Sequence, residues 1–333
     1  MPVAARHGIA NFSRETYMKV LVAIDNKPSS QAILDALVKM RWYEGTELHL
    51  LAVVPDAEAE RTKPGELPAS VEDLETLVVE LHNALPLSEV SFLVKHGDPK
   101  TVILEFAEHL KAELIVIGSN CKNTLERLLI GSVCQAVLNS ARCPVIVAKT
   151  PCTLAREESP GFKTILIPID HSIYSDAAVR WLSEFTWADD TRFVLTAVVE
   201  QDTDLFEVQD SLNKRALELS QLLKTTKIVT EVVVGEPVQT IIELANKYYT
   251  DMIVIGSHGR TGLKKLILGS VSQAVSHKAP CAVAIVTGIV SSDDSWSRTG
   301  EFHKVKLSSS IVWETGTDES RHDISAHVMP GGM

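Results

Sequence analysis

Short runs of apolar, mostly β-branched residues alternate along this chain with longer segments in which apolar residues recur every three or four positions. The short runs predict buried strands, and the longer segments, such as 216–224 and 238–248, predict amphipathic helices. The runs LIVIG and MIVIG are apolar throughout, which predicts strands covered by helices on both faces. Strands are predicted at 18–24, 46–54, 89–95, 113–117 and 144–149, and again at 163–169, 191–199, 227–234, 251–255 and 282–287.

The chain contains the same unit twice. With a constant offset of 138 positions, residues 97–148 match residues 235–286 at 21 of 52 positions without a gap. The starts also agree, because MKVLVAID ends at Asp25 and KTILIPID ends at Asp170. A period of about 140 residues is too long for a solenoid, so each copy is predicted to be a complete domain, with a linker near 150–162. Five β/α units in each copy predict the α/β class with a doubly wound parallel sheet.

Charge and composition count against several classes of function. The 32 Lys and Arg residues against 43 Asp and Glu give a net charge of −11, which argues against nucleic acid and against an anionic membrane surface as partners. No apolar stretch reaches the length of about 18 residues that a membrane span needs, and residues 1–16 lack the apolar core of a secretory signal. We therefore expect a soluble, cytoplasmic protein.

The cysteine pattern predicts reduced thiols. The chain has five cysteines and no C-x-x-C pair, which disfavours a disulfide framework and a zinc site. They are Cys121, Cys134, Cys143, Cys152 and Cys281.

The candidate chemistry follows the fourth strand of the second copy. Gly256-Ser-His-Gly259 is followed, after nine residues, by Gly269-Ser270, where a helix is predicted to start with Ser270 as its N-cap. Glycines allow positive φ and close approach to an anion, and a helix N-terminus adds free N–H groups and a positive dipole end. This pattern predicts a phosphate cradle; the alternative is that the glycines only shape a turn. Nearby residues able to carry positive charge are His258, Arg260, Lys264 and Lys265.

Asp170 is the second candidate, at the carboxyl end of the first strand of this copy. Ligands of open α/β sheets bind at the carboxyl ends of strands. If the first and fourth strands are neighbours, Asp170 faces the glycine loop. The alternative is that Asp170 is the N-cap of the following helix.

These features together resemble the universal stress protein family. The resemblance rests on the G-x2-G-x9-G-[S/T] spacing, the first strand ending in Asp and the five-unit repeat, and it covers about residues 17–149 and 162–287. It implies two tandem Rossmann-like domains of the adenine nucleotide alpha hydrolase-like fold, each a five-stranded parallel sheet of order 3-2-1-4-5 between helices. It also implies that ATP with Mg²⁺, or AMP or another adenine nucleotide, binds in the crevice.

Carried onto this chain, the resemblance assigns each end of the nucleotide. The adenosine end would meet Pro168, Ile169, Asp170 and Val198. The phosphates would meet Gly256, His258, Gly259, Arg260, Gly269, Ser270, Val271 and Ser272.

The first copy departs from this pattern. Cys121 stands where the second glycine belongs, Thr124 replaces Gly262, and Glu126 replaces Lys264. A Cβ at position 121 would obstruct a phosphate and Glu126 would repel it, so the second copy is predicted to hold the principal site. Cys121 is either a redox-sensing thiol or, as we favour, an unreactive one. The weaker candidates in this copy are Asp25, Val53, Gly118, Gly131 and Ser132.

The favoured function is a nucleotide-binding stress-response regulator with an unidentified protein partner. We assign no catalytic residue and no metal site of the protein's own, because the S-G-G-x-D-S loop of ATP pyrophosphatases and the Walker motif are both absent. The alternatives are a slow ATP-hydrolysing enzyme or switch, and a scaffold that works without nucleotide.

Two expectations concern assembly and the tail. The apolar final strands, 143–149 and 281–288, should pair and make an intramolecular pseudo-dimer, and the chain could also form a homodimer. Residues 288–333 form a polar C-terminal extension that we expect to be mostly disordered, the alternative being one extra strand at 304–313. A disordered extension predicts that deleting 290–333 changes nucleotide binding and thermal stability little.

Overall fold

The two repeats fold into matching series of strands and helices. The computed structural model describes residues 18–25, 27–56, 74–119, 130–149, 161–201, 203–225, 227–259, 268–287, 312–318 and 321–327. The first half comprises β1 (Lys19–Ile24), α1 (Lys27–Lys39), β2 (Glu47–Val54), α2 (Leu74–Ala84), β3 (Glu89–His96), α3 (Pro99–Leu110), β4 (Leu114–Gly118), α4 (Ser132–Ser140) and β5 (Val145–Ala148). The second comprises β6 (Thr164–Pro168), α5 (Ile173–Trp181), a 3-10 turn (Leu182–Glu184), β7 (Arg192–Val199), α6 (Leu205–Leu223), β8 (Ile228–Val234), α7 (Pro237–Lys247), β9 (Met252–Gly256), α8 (Ser270–Lys278) and β10 (Ala282–Val286). The strands β11 (Val312–Asp318) and β12 (Arg321–His327) follow.

The strands predicted from the apolar runs are confirmed, and each bound differs from the prediction by at most one residue. The helix predicted at 238–248 is α7. The helix predicted at 216–224 is only the second half of α6, which starts at Leu205 because the Asp204 carboxylate caps it by accepting from the N–H groups of Phe206 and Glu207. Among the described helices, none is long and apolar enough to cross a membrane.

The described strands form one sheet, in the order β11-β12-β3-β2-β1-β4-β5-β10-β9-β6-β7-β8. Numbered from the start of its own half, each five-strand group is parallel and has the order 3-2-1-4-5. The central strands β4 and β9 are buried at every position, as apolar strands between two helical layers should be. This order makes β6 and β9 neighbours and opens a crevice at their carboxyl ends.

The two halves join through their final strands, as the sequence predicts. Strand β5 pairs antiparallel with β10, and Ile146 lies opposite Ala284, its own counterpart at the offset of 138. A second bridge joins Arg41 to Thr186, which also occupy corresponding positions. Pairing of equivalent residues is the signature of a two-fold relation between like units.

A buried lysine from the first half ties the same interface. Lys149 is 8% exposed, and its Nζ donates to the carbonyl oxygens of His277 at 3.1 Å and Ala279 at 2.8 Å. These carbonyls lie at the C-terminal end of α8, where backbone acceptors lack helical partners and the dipole favours a cation. Beside them, Nε2 of His277 lies 2.7 Å from Oε1 of Gln135. The last turn of α8 is thus held by the other half of the chain.

The expectation of a mostly disordered extension is wrong for the part of it that the structure describes. Strand β12 pairs antiparallel with both β11 and β3, with Ile324 opposite Val94. The alternative strand at 304–313 overlaps β11 only at Val312 and Trp313, and 304–311 lie outside the described residues. A strand that closes a sheet edge is held by backbone hydrogen bonds and needs no sustained apolar pattern, so periodicity misses it. Because part of the extension pairs with β3, the prediction that deleting 290–333 changes nucleotide binding and thermal stability little no longer follows.

We expect Lys149→Met to lower the free energy of unfolding by about 1–3 kcal/mol, because two buried carbonyls lose their donor. Chemical denaturation measures this. Lys278→Met is the matched control, since Lys278 is exposed at the end of the same helix, and its effect should stay within about 0.5 kcal/mol. Equal effects of the two changes would contradict the assigned role of Lys149.

A second prediction concerns pH. Burial, reinforced by the Lys149 ammonium, lowers the pKa of His277 below its usual range. The unfolded chain therefore binds a proton that the folded chain resists, so stability is lost as the pH falls below about 6.5. Replacing His277 with Asn, the residue at the corresponding position 139, should flatten the decline in unfolding free energy between about pH 7 and 5. An unchanged pH slope would count against this.

Candidate functional site

The turn after β6 presents Asp170 at the carboxyl end of the strand. Ile169 extends the ladder by donating its N–H to the carbonyl of Thr196 at 2.7 Å. Oδ1 of Asp170 accepts the N–H of Ser172 at 3.0 Å, and His171 between them has φ +60°. The N-cap of α5 is Ser172, whose hydroxyl accepts from Ser175 N–H, so the alternative that Asp170 is the N-cap is wrong.

Gly256 ends β9 at a very close backbone crossing. A Cβ at this position would lie 2.6 Å from the carbonyl carbon and 2.8 Å from the carbonyl oxygen of Tyr174, in the first turn of α5. Backbone cannot move aside as a side-chain end can, so this position needs glycine for packing. The turn-shaping alternative therefore holds in part: Gly256 is required by the approach of α5 to β9, whatever the crevice binds.

Gly269 is also held by backbone. Its N–H donates to the carbonyl of Ser257 at 2.8 Å, and a Cβ would lie 3.1 Å from that same oxygen. Among the described glycines only Gly45 and Gly97 have a positive φ, so Gly256, Gly259 and Gly269 do not use that freedom. Close approach, not a left-handed backbone, explains these glycines.

Gly259 differs from the other two. Among the described residues, the one atom that a Cβ here would meet is Oδ2 of Asp170, at 3.0 Å. Asp170 and Gly259 therefore face each other across the β6–β9 crevice, as expected if the two strands are neighbours. Of the three glycines, Gly259 is the one whose added Cβ would meet a side-chain end and not backbone.

Helix α8 opens on this crevice with backbone donors that have no acceptor within the helix. Gly269, not Ser270, occupies the N-cap position, and no side chain caps the helix there, so the predicted Ser270 cap is wrong. Intrahelical bonding starts with Gln273, whose N–H donates to Gly269, so the helix provides no acceptor for the N–H groups of Ser270, Val271 and Ser272.

Ser272 contributes less than its residue type suggests. Its side chain is buried, and its hydroxyl donates to the carbonyl of Gly256 at 2.6 Å. This bond fixes the start of α8 to the end of β9. Only the backbone N–H of Ser272 is left for an anion.

His258 lies in the loop that follows β9. Its Nδ1 lies 3.0 Å from the Ser257 hydroxyl, and its ring centroid lies 4.9 Å from that of Tyr174. The hydroxyl of Ser172 donates to the backbone carbonyl of His258 at 3.4 Å. His258 is thus positioned by α5 and the loop together.

The remaining predicted positions divide between the walls of the crevice and the undescribed loop. Pro168 and Val198 are half-buried at the carboxyl ends of the adjacent strands β6 and β7, and Ile169 is buried. Arg260, Lys264 and Lys265 lie outside the described residues. No group of three or more His, Cys, Asp or Glu side chains in the described residues could hold a metal ion.

Comparison with known proteins assigns the chain to a family. The universal stress protein family model matches residues 16–149 and again residues 161–287. The chain belongs to the universal stress protein family. The two matches coincide with the two five-strand groups of the sheet.

Individual relatives agree with this. The chain is 28% identical over 191 residues to universal stress protein Rv2005c of Mycobacterium tuberculosis, covering 53% of this chain and 62% of that protein. It thus spans about three-fifths of the length of that curated relative. A universal stress protein structure from Archaeoglobus fulgidus covers 81% of this chain and 96% of its own, at 20% identity and a TM-score of 0.59, which shows a shared fold. A universal stress protein solved in complex with cAMP covers 38% of this chain and 96% of its own, at 25% identity and a TM-score of 0.30.

The crevice of the first universal stress protein domain differs in detail. Asp25 is exposed, Val53 is half-buried and Gly118 is buried at the end of β4. Gly131 is the N-cap of α4, without a side-chain cap, and Ser132 is exposed behind it. Cys121, Thr124 and Glu126 lie outside the described residues, so the predicted obstruction stays a prediction.

Position 134 marks a further difference between the domains. Cys134 corresponds to Ser272, so a thiol replaces the hydroxyl that ties α8 to β9. Burial raises the pKa of Cys134 to about 12, with Asp25 adding to the rise and Lys149 opposing it. In the described part of the chain, Cys134, Cys143 and Cys281 form no disulfide.

Motif spacing does not reveal Ser172, Tyr174 and Ser257, which build the crevice through backbone contacts. Ser172 carries a sequence signal, because Ser before an apolar helical segment is a common N-cap. Tyr174 and Ser257 carry none, since a backbone crossing depends on which segments meet in space.

These contacts predict a separation of roles between the glycines. Gly256→Ala should lower the free energy of unfolding by about 1–3 kcal/mol or more, because its Cβ overlaps the Tyr174 backbone. Gly259→Ala is the matched control and should cost less than about 1 kcal/mol, since only the end of the Asp170 side chain must shift. Thermal and chemical unfolding measure both. A Gly256→Ala protein as stable as Gly259→Ala would refute the crossing.

Proposed function

We propose that the second domain binds an adenine nucleotide, foremost ATP with Mg²⁺, and that its occupancy makes the protein a cytoplasmic regulator of the stress response. The observation that carries this is the facing pair of Asp170 and Gly259 beside the uncapped start of α8. One wall offers the Asp170 carboxylate, and the loop after β9 with the start of α8 offers backbone donors. Such an arrangement suits a ligand with a polar neutral end and an anionic end.

The phosphate end belongs beside α8. Three first-turn N–H groups, at Ser270, Val271 and Ser272, have no helical acceptor, and the helix dipole favours negative charge there. Gly259 leaves room for close approach, and the His258 ring lies on the same loop. AMP or another adenine nucleotide would use fewer of these donors than ATP.

The adenosine end belongs beside β6 and β7. A carboxylate repels phosphate but accepts hydrogen bonds from ribose hydroxyls, so Asp170 favours the sugar. Pro168 and Val198, at the ends of adjacent strands, give the base a half-buried apolar surface. Mg²⁺ would be held mainly by phosphate oxygens and water, because the described residues contain no cluster of acidic ligands.

A regulatory role rests on where α8 leads. Its N-terminus borders the proposed phosphate site, and its C-terminus receives two hydrogen bonds from Lys149 of the first domain. A nucleotide that orders the start of α8 therefore acts on an element that both domains hold. A partner protein that contacts both domains would then bind the nucleotide-bound and nucleotide-free forms differently.

Titration calorimetry with Mg-ATP tests the proposal. We expect a stoichiometry near one per chain and loss of binding in Gly259→Cys, which puts into the second domain the residue found at position 121. Removing a charge-assisted hydrogen bond costs about 1.5–3 kcal/mol, so removing one or two weakens binding by roughly one to four orders of magnitude. Cys121→Ala, the matched control in the first domain, should barely change affinity.

Two equally tight sites, or full ATP affinity in Gly259→Cys, would overturn this assignment of the site. A timed phosphate-release assay on the same samples separates a regulator from the alternative of a slow ATP-hydrolysing enzyme. Absence of any adenine-nucleotide binding would leave the scaffold alternative.

A further inference from the structure

A second pocket lies at the amino-terminal ends of the strands, on the opposite side of the domain from the crevice. It has a volume of about 420 Å³ and is formed where β6, β7 and β8 begin. Ile228 and Val229 contribute apolar surface, and Lys163, Arg192 and Lys227 contribute positive charge. Strand β6 has five residues, so roughly 16 Å of sheet separates this pocket from the turn at Asp170.

The three cations come from three adjacent chain segments. The N–H of Arg192 donates to the carbonyl of Lys163 at 2.8 Å, and the N–H of Phe193 donates to that of Lys227 at 2.9 Å. The register of β7 and β8 thus sets Arg192 beside Lys227, where like charges repel. Asp190 is the acidic residue of the pocket, and it is hydrogen-bonded to Lys163.

Arg192 is only partly satisfied by the protein. Its Nη2 donates to the Thr164 hydroxyl at 3.3 Å and to the Tyr248 carbonyl at 3.2 Å, and the guanidinium lies 5.3 Å from the Tyr248 ring centroid. Its Nε is buried without a hydrogen-bond partner, and no described carboxylate pairs with it. A guanidinium has five N–H donors, so capacity for an anion remains.

The first domain provides an internal comparison. At the positions equivalent to Arg192 and Lys227 it has Glu47 and Glu89, which lie opposite each other in the β2–β3 register. Glu47 has partners there, with the Lys19 ammonium at 3.9 Å and the His49 imidazole at 3.1 Å. The fold therefore accepts either sign of charge at this edge, and packing alone does not demand the cations of the second domain.

We infer that this pocket is a second binding site, specific for a phosphate or pyrophosphate group, free or carried by a small organic molecule. Arg192 and Lys227 hold the oxyanion, Lys163 adds charge while bound to Asp190, and Ile228 with Val229 can contact an organic substituent. Two phosphate-binding regions then lie in one domain, one where its strands begin and one where they end. This inference is independent of the nucleotide crevice.

Amide NMR of the full chain during titration with pyrophosphate tests the site. The Ile228 and Val229 amides should shift, the response should weaken as salt rises, and it should persist in Gly259→Cys, which blocks the crevice. Lys227→Glu should weaken the binding reported by these amides at least tenfold. Arg192→Lys keeps the charge but removes the planar fork, and it should weaken binding less than Lys227→Glu.

Lys247→Ala is the matched control, because Lys247 lies in the same domain and pairs with Glu231 outside the pocket; it should leave binding unchanged. Inorganic phosphate and phenyl phosphate separate a free anion from an organic phosphate, according to which binds more tightly. Unshifted Ile228 and Val229 amides, or equal affinity in the wild type and a folded Lys227→Glu protein, would overturn the inference. A response abolished in Gly259→Cys would show that pyrophosphate binds only the crevice.

Discussion

The antiparallel pairing of β5 with β10 determines how the rest of the molecule is arranged. Both strands are buried at every position, and each would leave an apolar edge if the halves separated. Their pairing turns two five-stranded sheets into one and reverses the strand direction between the halves. The strands of the two domains therefore end on opposite sides of the sheet, because their directions are opposed. The crevice of the first domain shares its edge with the cationic pocket of the second.

The same reversal brings Lys149 to the end of α8. Lys149 follows β5, and α8 precedes β10, so pairing of these strands sets the last residue of one domain against the last helix of the other. Position 287 is the counterpart of 149 and carries Thr instead of Lys, with its hydroxyl 3.5 Å from the Arg142 carbonyl. The interface is thus two-fold in backbone and unequal in side chains. The two domains also differ in the charges at their sheet edges, where Glu47 corresponds to Arg192.

Much of this architecture could be predicted from the sequence because it depends on patterns that are local or repeated. Apolar runs locate the strands, the constant offset exposes the duplication, and the glycine spacing locates the loop after β9. The apolar character of the final strands also predicts their pairing. The pattern places Asp170 correctly opposite Gly259, because both follow strands that become neighbours.

The remaining features depend on segments that meet only in space. The need for glycine at 256 arises from the Tyr174 backbone, and the alignment of Arg192 with Lys227 arises from strand register. The helix caps predicted from residue type lie one or two residues away from Ser172 and Gly269, because several neighbouring residues are good caps by type. The β11–β12 hairpin depends on backbone pairing with the β3 edge, which leaves no apolar period to read.

If one duplicated fold keeps its principal nucleotide crevice in the second domain, Mg-ATP must contact the start of α8 and not the equivalent start of α4. Hydrogen–deuterium exchange of the full chain, with and without Mg-ATP, tests this most directly because it locates the ligand on the backbone. We expect slower exchange at 256–259 and at the start of α8, with little change at the equivalent start of α4. Equal protection at both helix starts, or none at the start of α8, would contradict it.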